Sequence, residues 1–265
     1  MSGGSPREWD AAAYHRLSDP QFGWGLRVLH RLRARGDEDV LDAGCGSGRL
    51  TAELAAAVPD GTVLAVDASV RMAEEARRNL AHLAPRVRVA VADLLDLVLD
   101  DPVDVVFSTA VFHHIPDHPR LFRVLLACLR PGGRLVAQCG GGPNLAGVRA
   151  MVADAAGEDD RLAALRGWPG PWEFADAATT AARLRGAGFA GVRTWVEPAP
   201  VDLGDAGRFR EYTRTVTLRA HLARLGDDAA RDALLDAVTA RSGRAEAPFT
   251  LDHWRLNLEG VRPGG

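Results

Sequence analysis

A glycine-rich stretch, LDAGCGSGRL at residues 41–50, has the composition of a ligand-binding loop. Gly44, Gly46 and Gly48 alternate with other small residues, and Asp42 stands just before them. Such a loop after an apolar strand is typical of nucleotide sites, because its backbone N–H groups can approach a ligand closely. The dinucleotide fingerprint G-x-G-x-x-G requires a small residue where this chain has Arg49. Asp42 would also repel a pyrophosphate, so the loop favours a ligand with a cationic group near this carboxylate.

Two further acids end the next two predicted strands. Asp67 closes TVLAVD at 62–67, and Asp93 closes RVRVAVAD at 86–93. A carboxylate at the position of Asp67 can accept hydrogen bonds from both hydroxyls of a ribose. Asp93 can accept from the exocyclic amine of an adenine, while the backbone N–H of Leu94 reaches a ring nitrogen. Each acid could instead cap a neighbouring helix or lie in solvent.

These acids converge on one crevice, because open α/β sheets bind ligands beyond the carboxyl ends of their strands. The crevice offers carboxylates to a positive group, a ribose and an adenine, and it offers nothing obvious to a phosphate. S-adenosylmethionine carries the matching groups. The predicted cofactor contacts therefore include Asp42, Gly44 and Gly46 beside the two later acids. Ala68 and Met72 join them, with Met72 packing on the base unless it only fills the core.

The segment after the fourth predicted strand supplies candidates for the reacting groups. Ser108 is placed near the cofactor, and His113 or His114 could act as a general base. Both histidines could equally serve as packing or loop hydrogen-bond groups. A metal site from His114 and His118 is not expected, because Pro116 lies between them.

A carboxylate acceptor would need no base, but it would need a cationic clamp, which the fork of an arginine provides. We take Arg214 as the candidate clamp among several arginines of the later chain. The others are Arg149, Arg208, Arg210 and Arg219. The alternative for all of them is a solvated helix face.

Aromatic residues after the fifth predicted strand could wall an apolar or aromatic acceptor. They are Trp168, Trp172 and Phe174, in the stretch RGWPGPWEFA. The alternative is that these rings anchor the loop to the core.

Short apolar runs alternate with helical patterns, which predicts βαβ units and a parallel sheet of the α/β class. The predicted strands are 39–44, 62–67, 86–93, 103–110 and 133–139. The predicted helices between them are 49–58, 69–83 and 119–130, the last one stopped by the Pro-Gly-Gly at 131–133. A helix at 178–189, a sixth strand at 191–203, two helices within 205–241 and a strand at 251–263 follow.

We therefore expect a single domain over residues 1–265. It comprises an N-terminal helical lid at 1–36, a cofactor-binding core at 37–200, a helical lid insertion at 201–248 and a closing strand at 249–265.

Composition narrows the function classes. The 265 residues are 47% hydrophobic with a net charge of −3, which does not favour a nucleic-acid surface or a polybasic membrane segment. The N-terminal sequence does not read as a signal peptide, and no apolar run approaches about 18 residues. The three cysteines, Cys45, Cys128 and Cys139, have no paired spacing, which indicates reduced thiols and a cytoplasmic protein.

The ordered motifs together resemble those of a class I S-adenosylmethionine-dependent methyltransferase, most similar to the trans-aconitate methyltransferase-like group. They are VLDAGCGSGRLT, VLAVDASVRMAEEAR, VRVAVADLLDL, VDVVFSTAVFHHIPDHPRLFRVLLACLRPGGRLVAQCGG and LRGAGFAGVRTWVEP. The resemblance implies a Rossmann-like, mostly parallel seven-stranded sheet whose last strand is antiparallel, with helical lids. It also implies that Gly44, Asp67 and Asp93 hold the cofactor, and it makes Tyr14 and Gln21 contacts from the N-terminal segment.

The expected activity is methyl transfer from S-adenosylmethionine to a small molecule, with a carboxylate oxygen favoured as acceptor. Methylation of a carbon or a phenolic oxygen is the first alternative. A cofactor-binding module, or a non-methylating enzyme on the same fold, is the second, and a nicotinamide-dependent oxidoreductase is the third. No nucleic-acid or membrane partner is expected, and the oligomeric state is open.

Overall fold

The structure, a computed structural model, describes residues 19–264. Within this range the main sheet has seven strands in the order β3-β2-β1-β4-β5-β9-β6. These strands are β1 (Val40–Ala43), β2 (Val63–Asp67), β3 (Val87–Val91), β4 (Val103–Thr109), β5 (Leu129–Gly140), β6 (Ala190–Pro198) and β9 (Trp254–Val261). Strands β1 to β5 pair in parallel. The last strand, β9, is antiparallel to both β5 and β6, which confirms the predicted fold class.

Helices cover both faces of this sheet. In chain order they are α1 (Asp19–Leu32), α2 (Arg49–Ala57), α3 (Val70–Leu80), α4 (His118–Cys128), α5 (Ala146–Glu158), α6 (Ala177–Ala187), α7 (Ala206–Tyr212), α8 (Arg219–Arg224) and α9 (Asp228–Ser242). Ser69 caps α3 by accepting from the Met72 N–H. Asp117 caps α4 in the same way. No described helix has the length and apolar character needed to cross a membrane.

Neighbouring residues of the central strands point to opposite layers, because side chains alternate along a strand. Val105 and Phe107 of β4 pack with Val28 of α1 and Leu54 of α2. Val106 faces the other layer, whose helices are α4 and α6. All of these side chains are fully buried. Burial on both faces is the arrangement that an all-apolar parallel strand requires.

A separate helical layer lies over the end of the sheet. Its buried core joins α5 to α7, α8 and α9, with a π-helical turn at Thr213–Thr217 between α7 and α8. The expectation of two helices within 205–241 was therefore wrong, since three helices and the π turn occupy the segment. A short ladder of β7 (Val201–Asp202) and β8 (Thr250–Leu251) closes its base.

The sequence analysis also missed α5, which follows β5 in a stretch where no helix was predicted. Its sequence, AGVRAMVADAAGE, is rich in alanine and glycine, so its apolar positions form no sharp stripe. Helix α5 nevertheless buries Val148 and Val152. The covering layer thus draws on two separate parts of the chain.

The fifth strand begins earlier than predicted. Helix α4 ends at Cys128 and β5 starts at Leu129, so the Pro-Gly-Gly at 131–133 lies inside the strand. Leu129 pairs with Val103 and Arg134 pairs with Val105, which leaves an irregular stretch between the two pairs. Proline is tolerated there because this stretch interrupts the regular ladder.

Candidate active site

The glycine loop leaves β1 through a turn that only glycine can make. Gly44 has a φ of +89°, and a Cβ added there would lie 2.2 Å from Cγ2 of Val111. Val111 belongs to the segment after β4, so the loop and that segment are in direct backbone-to-side-chain contact. Gly48 also has a positive φ immediately before α2. The loop therefore turns tightly over the carboxyl ends of β1 and β4.

The carboxylate of Asp67 joins this loop to the end of β2. Its Oδ2 accepts from the Gly46 N–H at 2.9 Å, and its Oδ1 accepts from the Ser69 N–H at 2.9 Å. Asp67 is half-buried. These two backbone hydrogen bonds fix the orientation of the Asp67 carboxylate.

Asp42 lies beneath the loop and is 3% exposed. Its Oδ2 accepts from the Thr51 hydroxyl at 2.7 Å. Burial raises the pKa of Asp42 from its ordinary 3.8 to about 7, and the negative charge of Asp67 contributes a smaller rise. A cationic group near this carboxylate would stabilise its ionised form, as the amino group of a bound methionine moiety would.

This pKa predicts a pH-dependent effect of Asp42→Asn. The folded protein holds the Asp42 proton more tightly than the unfolded chain does, so ionisation weakens folding as pH rises from about 4 to about 7. The amide stays neutral and removes that loss. The variant should match the wild type in unfolding free energy near pH 4. At pH 8 it should exceed the wild type by on the order of 2–4 kcal/mol in urea titrations without cofactor. An equal difference in unfolding free energy between variant and wild type at pH 4 and pH 8 would contradict the raised pKa of Asp42.

The remaining predicted cofactor residues line the same edge of the sheet. Asp93 is exposed after β3, and its Oδ1 accepts from the Leu95 N–H, while Leu94 is buried beside it. Ala68 is exposed at the surface, whereas Met72 is buried in the first turn of α3.

Ser108 ties the first and fourth strands together at this edge. It is buried near the end of β4, and its hydroxyl donates to the Ala43 carbonyl at 2.6 Å. That bond leaves the Ser108 hydroxyl committed to the junction of β1 and β4. Its contact with the cofactor remains a prediction.

Tyr14 lies outside the described residues. Gln21, the other predicted contact from the N-terminal segment, lies in α1. Its Nε2 donates to the Tyr212 hydroxyl at 2.6 Å, which links α1 to α7.

A second depression, which we name the aromatic cleft, lies beyond the carboxyl ends of β4 and β5. It is a narrow cleft with a cavity volume of about 60 Å³. Its defining residues are Gln21, Trp24, His113, Phe174, Thr217 and Arg255. Strand β9 runs antiparallel, so it begins at the edge where β4 and β5 end, and it brings Arg255 to the cleft.

His113 is held in one tautomer at the wall of this cleft. Its Nδ1 accepts from the Gly140 N–H at 3.3 Å, so the proton of the neutral ring is on Nε2. Burial lowers the pKa of His113 well below its ordinary value, and the neighbouring His114 and Arg255 add smaller lowering effects. The ring lies 4.2 Å from that of His114 and stacks on Phe174. His113 is thus a neutral hydrogen-bond donor.

Arg255 is the cleft residue that the sequence reasoning missed. It is 3% exposed, its Nε donates to Oε1 of Gln138 at 3.4 Å, and its guanidinium carbon lies 4.4 Å from the ring centroid of Trp24. The sequence pattern that could have revealed Arg255 is the alternation of β9. Arg255 and Asn257 lie on one face of the strand, in register with His253 just before it, and the other face is apolar.

The structure does not bring Arg214 to the aromatic cleft. Arg214 is more than half exposed on the π turn, where it forms an ion pair with Asp232 of α9 at 2.9 Å. Arg210 pairs with Asp232 and Asp236 on the same outer face. Acids of α9 therefore compensate the charges of both arginines. Arg149 and Arg208 are also exposed.

The predicted aromatic wall is split between two places. Trp172 and Phe174 line the aromatic cleft and stack with centroids 5.3 Å apart. Trp168 instead lines a separate groove with Arg219 and Arg224. Within the described residues no group of three or more potential metal ligands is found.

The residues present fit S-adenosylmethionine. Three acids lie at the ends of three adjacent strands, Asp42 is poised to ionise beside a cation, and Asp67 is oriented by two backbone N–H groups. Ser108 and Val111 connect this crevice to the segment that carries His113. The cofactor crevice and the aromatic cleft are therefore neighbours along one sheet edge.

Comparisons with known proteins agree with this assignment. Residues 40–133 match the model of a methyltransferase domain family. The chain is 31% identical to the trans-aconitate 2-methyltransferase of Deinococcus radiodurans over 227 residues, covering 84% of this chain and 86% of the relative. It is 31% identical to the trans-aconitate 2-methyltransferase of an Azoarcus species over 280 positions, covering 96% and 99%.

A solved structure shares the fold. The phosphoethanolamine N-methyltransferase 2 of Haemonchus contortus, in complex with phosphomonomethylethanolamine and S-adenosylhomocysteine, superposes with a TM-score of 0.63 at 19% identity. The match covers 96% of this chain and 57% of that one. The fold and the relatives matched over most of their length point to the same family. The chain belongs to the class I S-adenosylmethionine-dependent methyltransferases, in the trans-aconitate methyltransferase-like group.

Proposed function

We propose that this methyltransferase acts on a small molecule and places the methyl group on a carboxylate oxygen. The observation that carries the proposal is the buried guanidinium of Arg255 in the wall of the aromatic cleft. A carboxylate matches the planar fork of an arginine. The relatives' printed names point to a carboxylic acid as well.

The surroundings of Arg255 suit a rigid anion clamp. Stacking on Trp24 and the hydrogen bond to Gln138 restrict the guanidinium before an acceptor arrives. Such restriction lowers the entropy cost of binding. A carboxylate held there would lie in a partly dehydrated site, where its pairing with the guanidinium is stronger than in water.

The state of His113 favours an acceptor that needs no base. Bound S-adenosylmethionine supplies an electrophilic methyl group on a sulfonium, and an ionised carboxylate is already a nucleophile. A phenol or a carbon acid would have to lose a proton first. Nδ1 of His113 is occupied by the Gly140 N–H, and burial lowers the ring's pKa. His113 is therefore suited to donate from Nε2 to an acceptor oxygen, and poorly suited to remove a proton.

The shape of the site supports a small molecule rather than a protein or nucleic acid. Gln21 of α1 meets Tyr212 of α7 across the cleft. Val216 and Thr217 of the π turn complete the cover. A polymer would have to displace α1 or the helical layer to enter.

The test is to incubate the enzyme with methyl-labelled S-adenosylmethionine and a panel of small carboxylic acids, phenols and amines. We expect label in an extractable product from which mild hydroxide releases methanol, because methyl esters hydrolyse and aryl methyl ethers, methylamines and C-methyl groups do not. Base-stable label would overturn the carboxylate assignment. Tight cofactor binding without any labelled product would instead favour a binding module or a non-methylating enzyme.

A further inference from the structure

The lining of the aromatic cleft includes aromatic rings and buried polar atoms besides the guanidinium of Arg255. Trp172, Phe174 and His113 form a row of rings, with interplanar angles of 15° and 29° between successive members. Trp24 packs edge-on against His253 on another part of the lining. These rings give the cleft an aromatic wall. A planar, conjugated guest gains edge-to-face or offset-stacked contacts there that an aliphatic guest does not.

The described lining of the aromatic cleft contains few charged side chains. Among the described residues that line the aromatic cleft, Arg255 is the one arginine, and none is an acid. Burial lowers the pKa of His253 to about 3, and His113 is likewise neutral. A tricarboxylate would bring two further negative charges into this space, where uncompensated burial of a charge is costly.

Several buried polar atoms of the lining lack a hydrogen-bond partner among the described residues. They are Oε1 of Gln21, Oγ1 of Thr217 and both ring nitrogens of His253. Buried polar groups are normally paired, so these atoms indicate neutral donor or acceptor groups on the molecule that fills the cleft. A hydroxyl satisfies them without adding charge.

Resting on the carboxyl-methylation function proposed above, we infer that the acceptor is a planar aromatic acid with one carboxylate and at least one hydroxyl. Arg255 binds the carboxylate, and the ring stacks against the row of Trp172, Phe174 and His113. The hydroxyl reaches Gln21 or Thr217. Gln21 is thereby assigned to the acceptor rather than to the cofactor. The inferred substrate class differs from the acid named in the relatives' printed descriptions.

The experiment compares kcat/KM for five acids at saturating S-adenosylmethionine, scoring only hydroxide-labile label. The acids are meta- and para-hydroxybenzoate, benzoate, cyclohexanecarboxylate and trans-aconitate. We expect the better hydroxybenzoate to exceed benzoate by about tenfold and trans-aconitate by at least about tenfold. Benzoate should exceed cyclohexanecarboxylate, its non-aromatic match, by about fivefold.

The outcomes separate the two proposals. If trans-aconitate is esterified fastest, or if cyclohexanecarboxylate equals benzoate, the aromatic-acid inference fails while carboxyl methylation stands. If none of the five acids gains hydroxide-labile label although the cofactor binds, both fail.

A matched set of variants tests the hydroxyl contact. The double variant Gln21→Leu/Thr217→Val removes both unpartnered oxygens, and it should lower the kcat/KM ratio of hydroxybenzoate to benzoate from about ten toward one. Thr239→Val removes a hydroxyl that is also buried and unpartnered, but that lies in α9 outside the cleft lining. In Thr239→Val the kcat/KM ratio of hydroxybenzoate to benzoate should equal that of the wild type. An unchanged ratio in the double variant would overturn the hydroxyl assignment.

Discussion

Replacing Arg255 with methionine should lower kcat/KM for the acceptor acid by about 100-fold, corresponding to ~3 kcal/mol of lost pairing with the carboxylate. Methionine keeps most of the apolar stem that packs near Trp24 and removes the guanidinium. The Kd of S-adenosylmethionine should change less than about threefold, because charge-assisted contacts to the cofactor come from other strands. Steady-state kinetics at saturating cofactor measure kcat/KM, and calorimetry measures the Kd of the cofactor.

The control for this variant is Arg214→Met, the same substitution at the arginine taken from the sequence as the candidate clamp. Arg214 lies in an exposed ion pair with Asp232, and such pairs contribute little. Its kcat/KM should stay within about twofold of the wild type. If Arg214→Met were inactive and Arg255→Met active, Arg214 of the helical layer, and not Arg255, would bind the acceptor carboxylate. Comparable thermal midpoints in the two variants exclude a folding defect as the cause.

Asp67→Ala should weaken binding of S-adenosylhomocysteine by about 10- to 100-fold, since it removes a charge-assisted acceptor worth about 1.5–3 kcal/mol. A second effect adds to the first, because the N–H groups of Gly46 and Ser69 lose the carboxylate that orients them. Without these two hydrogen bonds, the glycine loop is less firmly fixed in the conformation that binds the cofactor. Titration calorimetry on the purified variant measures the change directly.

Asp96→Ala is the matched control, because Asp96 is an exposed acid on the loop after β3. It pairs with Arg120 at the surface, away from the glycine loop. Its Kd should equal that of the wild type. If Asp67→Ala bound S-adenosylhomocysteine as tightly as this control, the ribose assignment of Asp67 would be wrong.

The strands and the acids at their ends could be predicted from sequence because both depend on local pattern. Short apolar runs with turn residues after them locate the strand ends, and a parallel sheet puts those ends on one edge. Asp42 and Asp67 were therefore placed at neighbouring strand ends before any geometry was known. The glycines of the loop carry the same local information, since the turn at Gly44 has a positive φ.

Arg255 and α5 depend on tertiary packing, which local pattern does not encode. The alternation of β9 puts Arg255 on a face with His253, but whether that face meets solvent, a helix or a cleft depends on where α1 docks. Helix α5 is stabilised by burial against α9 rather than by a strong apolar stripe of its own. The position of Arg214 outside the aromatic cleft has the same origin, because its partner Asp232 lies on another helix.

We propose that the aromatic cleft binds the acceptor through Arg255, next to the cofactor crevice. The most direct measurement is a crystal structure of the enzyme with S-adenosylhomocysteine and the acid that gives the highest kcat/KM. We expect the cofactor to lie over the glycine loop beside Gly44 and Asp67, and the acceptor carboxylate to lie within about 3 Å of the Arg255 guanidinium nitrogens. An acceptor bound elsewhere, with Arg255 contacting only protein groups, would contradict it.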